Sequence, residues 1–367
     1  MQIKAAVARK AHAPFTVEQA QLDGPRDDEV LVRIVGVGLC HTDLVARDQF
    51  IPIALPAVLG HEGAGIVEQV GRHVTRVAPG DRVVISFAHC GHCPRCHEQL
   101  PSYCQTFPQL NYSGAREDGS AAIHIGDERV SSNFFGQSSF ASHALATERN
   151  VVKIDDEQLP LEILGPLGCG LQTGAGAVMR SMACPAGSTL AIFGGGPVGL
   201  AAVMAAKIQG CATVILVEPQ HGRRELALTL GAHHVIDPTA CDVAARIREI
   251  LPLGVDFAFE SSGRESAVEA ALAALASHGL LGLAGVPPTP QSAVSINLAS
   301  LITFGHRLQG IIEGDSDLHG FIPELLAHYK AGRFPFDKLI KTYRLEQINQ
   351  AIADQASGEC IKAVLLP

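Results

Sequence analysis

The run Gly194-Gly195-Gly196-Pro197-Val198-Gly199 constrains this chain more than any other stretch. An apolar segment with strand character, Thr189–Phe193, leads into it, and an Ala-rich segment with helical character, about 198–209, leads out. Gly194, Gly196 and Gly199 satisfy G-x-G-x-x-G in that strand–turn–helix setting. The first glycine permits the tight turn, the second lets backbone approach a pyrophosphate, and the third lets helix and strand pack closely. The helix N-terminus then offers unpaired N–H groups to the anion. Past this unit the pattern keeps alternating, with strands expected at 212–218, 234–237, 255–259 and 280–284 and helices near 223–230, 243–251 and 266–276. Such alternation demands right-handed crossovers and a doubly wound parallel sheet.

The second strand of that half ends in Glu218, about twenty residues beyond the turn, where an acid meets the ribose hydroxyls of a dinucleotide. A carboxylate there repels the extra phosphate of NADP, so NAD is the expected cofactor. Arg223 and Arg224 lie close enough to soften that discrimination.

Residues 1–170 read differently. They are rich in glycine, proline and short alternating runs, with strands at 29–37 and 81–86 and a Pro-Gly-Asp turn at 79–81. That pattern predicts a compact β-rich domain. The last stretch, from about 308, carries helices near 321–330 and 347–356 and a closing strand, Lys362–Leu366, and is expected to pack back on the first domain. A chain of 367 residues suits two domains.

Composition narrows the partners. With 28 basic against 37 acidic residues and no basic run, nucleic acid is not an expected partner. The apolar runs are too short to cross a bilayer, and the N-terminus alternates like a strand without a signal core. A cytosolic chain is expected.

Ten cysteines are many for a reducing compartment. Cys90-x-x-Cys93-x-x-Cys96 and Cys104 place four thiolates within fifteen residues, a set that suits tetrahedral zinc with no open position and hence a structural site in a lobe at about 88–106. An iron–sulfur cluster is the rival, although the fourth cysteine comes too late for the ferredoxin run. His89, His92 and His97 flank the cluster and are expected at the surface. Cys184, Cys211, Cys241 and Cys360 are expected as small apolar fillers.

A second constellation is dispersed. Cys40, in Gly-Leu-Cys-His-Thr-Asp, His61, in Gly-His-Glu-Gly, and Cys169, in Gly-Pro-Leu-Gly-Cys-Gly, would give zinc two thiolates and one imidazole. A fourth position stays open, as in a catalytic site.

These residues in this order resemble the zinc-containing alcohol dehydrogenases of the medium-chain dehydrogenase/reductase superfamily, and the resemblance runs over essentially the whole chain. It implies an α/β architecture: a GroES-like catalytic domain from residues 1–170 and 308–367, with a Rossmann NAD-binding domain, 171–307, inserted. It implies two zinc ions per chain and a homodimer or homotetramer. Thr42 matches the hydroxyl residue that relays the alcohol proton, Asp43 the carboxylate that orients the histidine ligand, and Glu62 the acid behind the metal. His41 and Lys362 match positions that approach the cofactor pyrophosphate, Thr173 and Val198 positions beside the nicotinamide, and Glu218 and Arg223 positions at the adenosine ribose.

Val45 stands where well-known members carry a histidine that completes the proton path. His41 is the expected distant base in its place. The stretches Phe134–Phe140 and 164–176, with Phe-Pro-Phe-Asp at 334–337, look most like bacterial aryl-alcohol (benzyl-alcohol) dehydrogenases and their terpene-alcohol relatives. The implied reaction is hydride transfer between an aromatic or allylic primary alcohol and NAD, giving the aldehyde. Terpene-alcohol and glutathione-dependent formaldehyde dehydrogenases are the enzyme alternatives, and a non-catalytic NAD-binding or crystallin-like protein is the non-enzyme one.

Overall fold

The computed structural model describes all 367 residues and divides them into two compact units. Met1–Cys169, Asp317–Glu324 and Asp337–Pro367 form the first, and Gly170–Ser316 with Leu325–Phe336 form the second. No helix is long and apolar enough to cross a membrane.

The first unit is built on two sheets. The larger has seven strands, and its spine is Glu29–Gly38, a Val/Ile-rich segment buried along most of its length. Residues of this kind favour a pleated surface packed on both faces. Gly63–Val70 pairs antiparallel with the spine, Val37 opposite Gly63, and Arg82–Ile85 pairs with Gly63–Val70 in turn. The closing strand Lys362–Leu366 joins the spine antiparallel, Val364 opposite Gly38. These registers bring Gly38, Gly63, Ile85 and Lys362 to one end of the sheet. The segments that leave it there carry Cys40, His61 and Ser86.

The second unit is a six-stranded, wholly parallel sheet in the order His234–Ile236, Thr213–Val217, Thr189–Phe193, Val255–Glu260, Leu275–Leu283, Arg307–Gly310. Strand order reverses between the neighbours of Thr189–Phe193, which is where a doubly wound sheet opens its ligand crevice. Its core is made by Phe193, Ile215, Val217, Ile247 and Leu281, all buried.

Two boundaries differ from expectation. Residues 308–316 and 325–336 belong to the second unit, because Arg307–Gly310 completes the parallel sheet by pairing with Leu280–Leu283. The helix expected to 276 ends at Ala274, where Leu275 turns extended and pairs with Val255. Among the scattered cysteines, Cys184, Cys211 and Cys360 are buried as expected, whereas Cys241 is exposed.

Candidate functional site

At the converging sheet end, the donor atoms of Cys40, His61, Glu62 and Cys169 all lie within 4.8 Å of one another. His61 is fully buried, and its Nε2 stands 3.3 Å from Cys169 Sγ. Its other nitrogen, Nδ1, is 2.8 Å from Oδ1 of Asp43, also fully buried. That carboxylate accepts from the amides of Cys40 at 2.9 Å and Gly60 at 3.1 Å. Asp43 therefore locks both segments that carry donors, and it fixes the tautomer that leaves Nε2 free to ligate.

Burial disfavours a charged imidazole at His61, but the neighbouring Asp43 carboxylate outweighs it and raises its pKa. Cys40 is held well below the usual thiol range by hydrogen bonding from Cys169, then His61, and by the charge of Lys362.

The four other cysteines form a second group with donor atoms inside the same 4.8 Å limit. Their Sγ–Sγ separations include 3.9 Å for Cys90–Cys96 and 3.6 Å for Cys93–Cys96. The amides of Cys93 and Cys90 donate to Cys90 Sγ and Cys104 Sγ, each at 3.3 Å, and the amide of Gln105 helps to push Cys93 down to about 6.

In the parallel-sheet unit, Gly194, Gly195, Gly196, Glu218, Arg223 and Ser261 line a cavity of about 680 Å³. A Cβ on Gly199 would meet the Gly194 carbonyl oxygen at 1.8 Å, so helix and strand touch there. A Cβ on Gly196 would meet nothing within 4 Å; the space beside it is free for a ligand. Glu218 accepts from the amides of Gly195 at 2.6 Å and Gln220 at 2.8 Å. Arg224 is spent on the carbonyls of Glu218 and Pro219 and on Asp237, while Arg223 faces the cavity with its buried Nε unpaired.

Comparisons with known proteins agree with this geometry. Residues 26–156 match the family described as alcohol dehydrogenase GroES-like domain, and residues 197–327 match zinc-binding dehydrogenase. The geraniol dehydrogenase of Castellaniella defragrans is 48% identical over 99% of this chain and 97% of its own. Among solved structures, a zinc-binding-domain alcohol dehydrogenase from Burkholderia ambifaria superposes with a TM-score of 0.97 at 50% identity, covering 100% of this chain and 99% of its own. The benzyl alcohol dehydrogenase of Acinetobacter calcoaceticus gives 0.96 at 41%, with the same coverage. The chain belongs to the zinc-binding alcohol dehydrogenases of the medium-chain superfamily.

An alcohol dehydrogenase of this family uses zinc and NAD, and the residues present fit both. A tetrahedral ion with zinc–sulfur bonds of about 2.3 Å sets sulfurs about 3.8 Å apart and a nitrogen about 3.6 Å from a sulfur. The observed 3.6–3.9 Å and 3.3 Å are close to those edges. An iron–sulfur cluster would hold the thiolates further apart, since its own atoms fill the centre. Four thiolates leave the Cys90 group closed, whereas Cys40, His61 and Cys169 leave the other open. The free space at Gly196 and the helix Pro197–Gln209 that begins there suit a pyrophosphate.

The remaining expected residues fall as follows. Thr42 Oγ1 lies 3.7 Å from Cys40 Sγ, at the open group. His41 is exposed at the start of the short helix His41–Arg47. Thr173 and Val198 sit on helices that touch, with Gly174 directly against the Val198 carbonyl. The Lys362 ammonium is buried, 2.5 Å from Glu62 Oε2 and 3.0 Å from the Leu39 carbonyl. A buried carboxylate needs a cation nearby, and Glu62, fully buried behind the donors, takes this one. His89, expected at the surface, is half-buried, and burial followed by the charge of Arg149 pushes it down to about 4.

Two residues at the site carry no donor and escaped assignment from sequence. Phe135 stacks on the His61 ring with centroids 4.4 Å apart, and Phe134 meets it edge-on at 5.6 Å. The only signal was the paired Phe134-Phe135 ahead of Gly-Gln-Ser-Ser.

Proposed function

We propose that this alcohol dehydrogenase oxidises primary alcohols whose carbinol carbon adjoins a π system, benzylic or allylic, with NAD as hydride acceptor. The observation that supports this reading is chemical. The relatives named above act on geraniol and on benzyl alcohol, and both substrates are conjugated primary alcohols whose aldehydes gain resonance. Within this class, the benzyl type and the terpene type are to be separated by assay.

Cys40, His61 and Cys169 would hold the catalytic zinc, and Cys90, Cys93, Cys96 and Cys104 the structural one. When bound in the open group, zinc supplies the Lewis acidity that makes a hydroxyl acidic near neutral pH. Thr42, beside Cys40, accepts the hydroxyl proton as a relay. Asp43 holds His61 in place, and Glu62 with Lys362 neutralises charge behind the donors. Val45 is buried and cannot titrate, so the proton passes outward by another route, for which the exposed His41 is the candidate base. Gly194, Gly196, Gly199, Glu218 and Arg223 bind the NAD pyrophosphate and adenosine ribose, and Thr173 and Val198 flank the nicotinamide.

Self-association is part of the same reading. Leu253, Leu298, Ile302 and Phe304 are 84%, 67%, 79% and 47% exposed in the NAD-binding unit, an apolar surface that a second copy would cover. None of the ten cysteines is joined in a disulfide, and a cytosolic setting belongs to the same reading.

The test is the initial rate of NAD reduction with benzyl alcohol, geraniol and ethanol on zinc-replete protein. The expected result is kcat/KM for at least one conjugated alcohol about a hundredfold above ethanol, a difference of roughly 2.7 kcal/mol in transition-state binding. Equal efficiency on ethanol would refute the substrate class and leave the reaction class standing.

A further inference from the structure

The segment Phe134–Phe140 has no role in the reaction as described, yet it is tightly constrained. Asn133, Phe135 and Ser138 are held at φ of 62°, 52° and 54°, in the left-handed region that non-glycine residues avoid. Such strain persists only where the surroundings over-determine it. Here the surroundings are the loop that carries His61. Ser138 Oγ donates to the Val58 carbonyl at 2.6 Å, the Phe140 amide to Leu59 at 2.9 Å, and the Ser139 amide to Gly60 at 2.8 Å.

Gln137 lies at the centre of this clamp and is 2% exposed. Its Nε2 donates to the carbonyls of His61 at 2.9 Å and Ser86 at 3.1 Å, while its Oε1 accepts from the Gly63 amide at 3.0 Å. Ser86 Oγ in turn donates to the Gly168 carbonyl at 2.6 Å, one residue before Cys169. A single side-chain amide thus ties the His61 backbone to Ser86, whose hydroxyl holds the carbonyl of the residue preceding Cys169. The amide orientation is forced, because carbonyls accept only from nitrogen and the Gly63 amide donates only to oxygen.

We propose that Gln137 is a positioning residue that sets the spacing of His61 and Cys169, and with it the hold of the open group on its metal. This rests on the reading of that group as the catalytic zinc site. Neither neighbour type can replace the amide. A carboxylate would turn two donated bonds into two repulsions with carbonyls, and a thioether would strip the His61 carbonyl, the Gly63 amide and the Ser139 hydroxyl of their bonds to Gln137.

Gln137→Glu in the holoenzyme tests it through zinc release to 1,10-phenanthroline, followed beside residual turnover so that the activity-linked phase is identified. Residues that orient metal ligands through a hydrogen bond affect metal affinity about 10–100-fold. The expected result is an activity-linked phase about tenfold or more faster in Q137E, with the other phase at the wild-type rate and the visible spectrum of the cobalt-substituted site altered. Wild-type release with a wild-type cobalt spectrum overturns the proposal. So does acceleration of both phases together with a lower Tm, which marks general loosening of the core. If Q137E does not fold, Ser86→Ala decides: it removes the hydroxyl link to Gly168 and keeps the carbonyl that Gln137 binds, faster activity-linked release supports the proposal, and a wild-type rate overturns it. A wild-type chain with no activity-linked zinc overturns the catalytic-zinc reading itself and the proposal with it.

Discussion

The carboxylate of Asp43 touches His61 Nδ1 at 2.8 Å with one oxygen and the Cys40 amide at 2.9 Å with the other. One buried side chain therefore aligns two donors of the open group. Asparagine has a single acceptor oxygen, so Asp43→Asn leaves its amide nitrogen facing either an N–H or the ring. We predict zinc affinity of the catalytic site about 10–100-fold weaker in D43N, read by chelator titration, with the four-cysteine site unaffected. Unchanged affinity would mean that His61 needs no such partner.

The second and third glycines of the motif separate packing from binding. A Cβ on Gly196 meets no protein atom, whereas one on Gly199 meets the Gly194 carbonyl at 1.8 Å. Gly196→Ala should leave Tm within about a degree or two while raising KM for NAD. Gly199→Ala should unfold the parallel-sheet unit at a lower temperature, with a loss of about 1–3 kcal/mol from forced backbone movement. Thermal melts beside NAD saturation curves distinguish them. A destabilised Gly196→Ala would show that its space is closed in solution.

Much of this was legible because the chemistry writes itself in residue type. Cysteine triplets, the Gly-rich turn after an apolar strand, and alternating strands and helices are each compatible with very few structures. The burial of Lys362 against Glu62 was not legible, because a lysine near a chain end is ordinarily solvated. Only the pairing of Lys362–Leu366 with Glu29–Gly38 carries it inward to Glu62. The sixth strand, Arg307–Gly310, has a single apolar side chain, so no periodicity announced it, and the boundary at 308 moved. Gln137 was hidden for a different reason: its partners are backbone groups on segments far away in sequence, and backbone partners leave no pattern in residue types.

His89 gives the enzyme an acid-sensitive element. Its pKa is pushed down to about 4 by burial and Arg149, while the unfolded chain titrates near 6.5. A depressed folded pKa contributes stability that is present above the unfolded value and lost as pH falls toward the folded one. The window is therefore about pH 6.5 to 4. Allowing for partial exposure, we predict a loss of about 1 kcal/mol at pH 5 relative to pH 7 that His89→Gln removes. Urea midpoints of both proteins at the two pH values, in zinc-containing buffer, check it; parallel losses would assign the acid sensitivity elsewhere.

In the proposed reading, Cys40, His61 and Cys169 hold a catalytic zinc separate from the one held by Cys90, Cys93, Cys96 and Cys104. The most direct measurement is zinc content and turnover of Cys169→Ser beside the wild type. The expected result is two zinc ions per wild-type chain, one in the variant, and a fall in kcat/KM of about a thousandfold, the scale of a lost Lewis acid. A variant that keeps both ions and most of its turnover would contradict the claim.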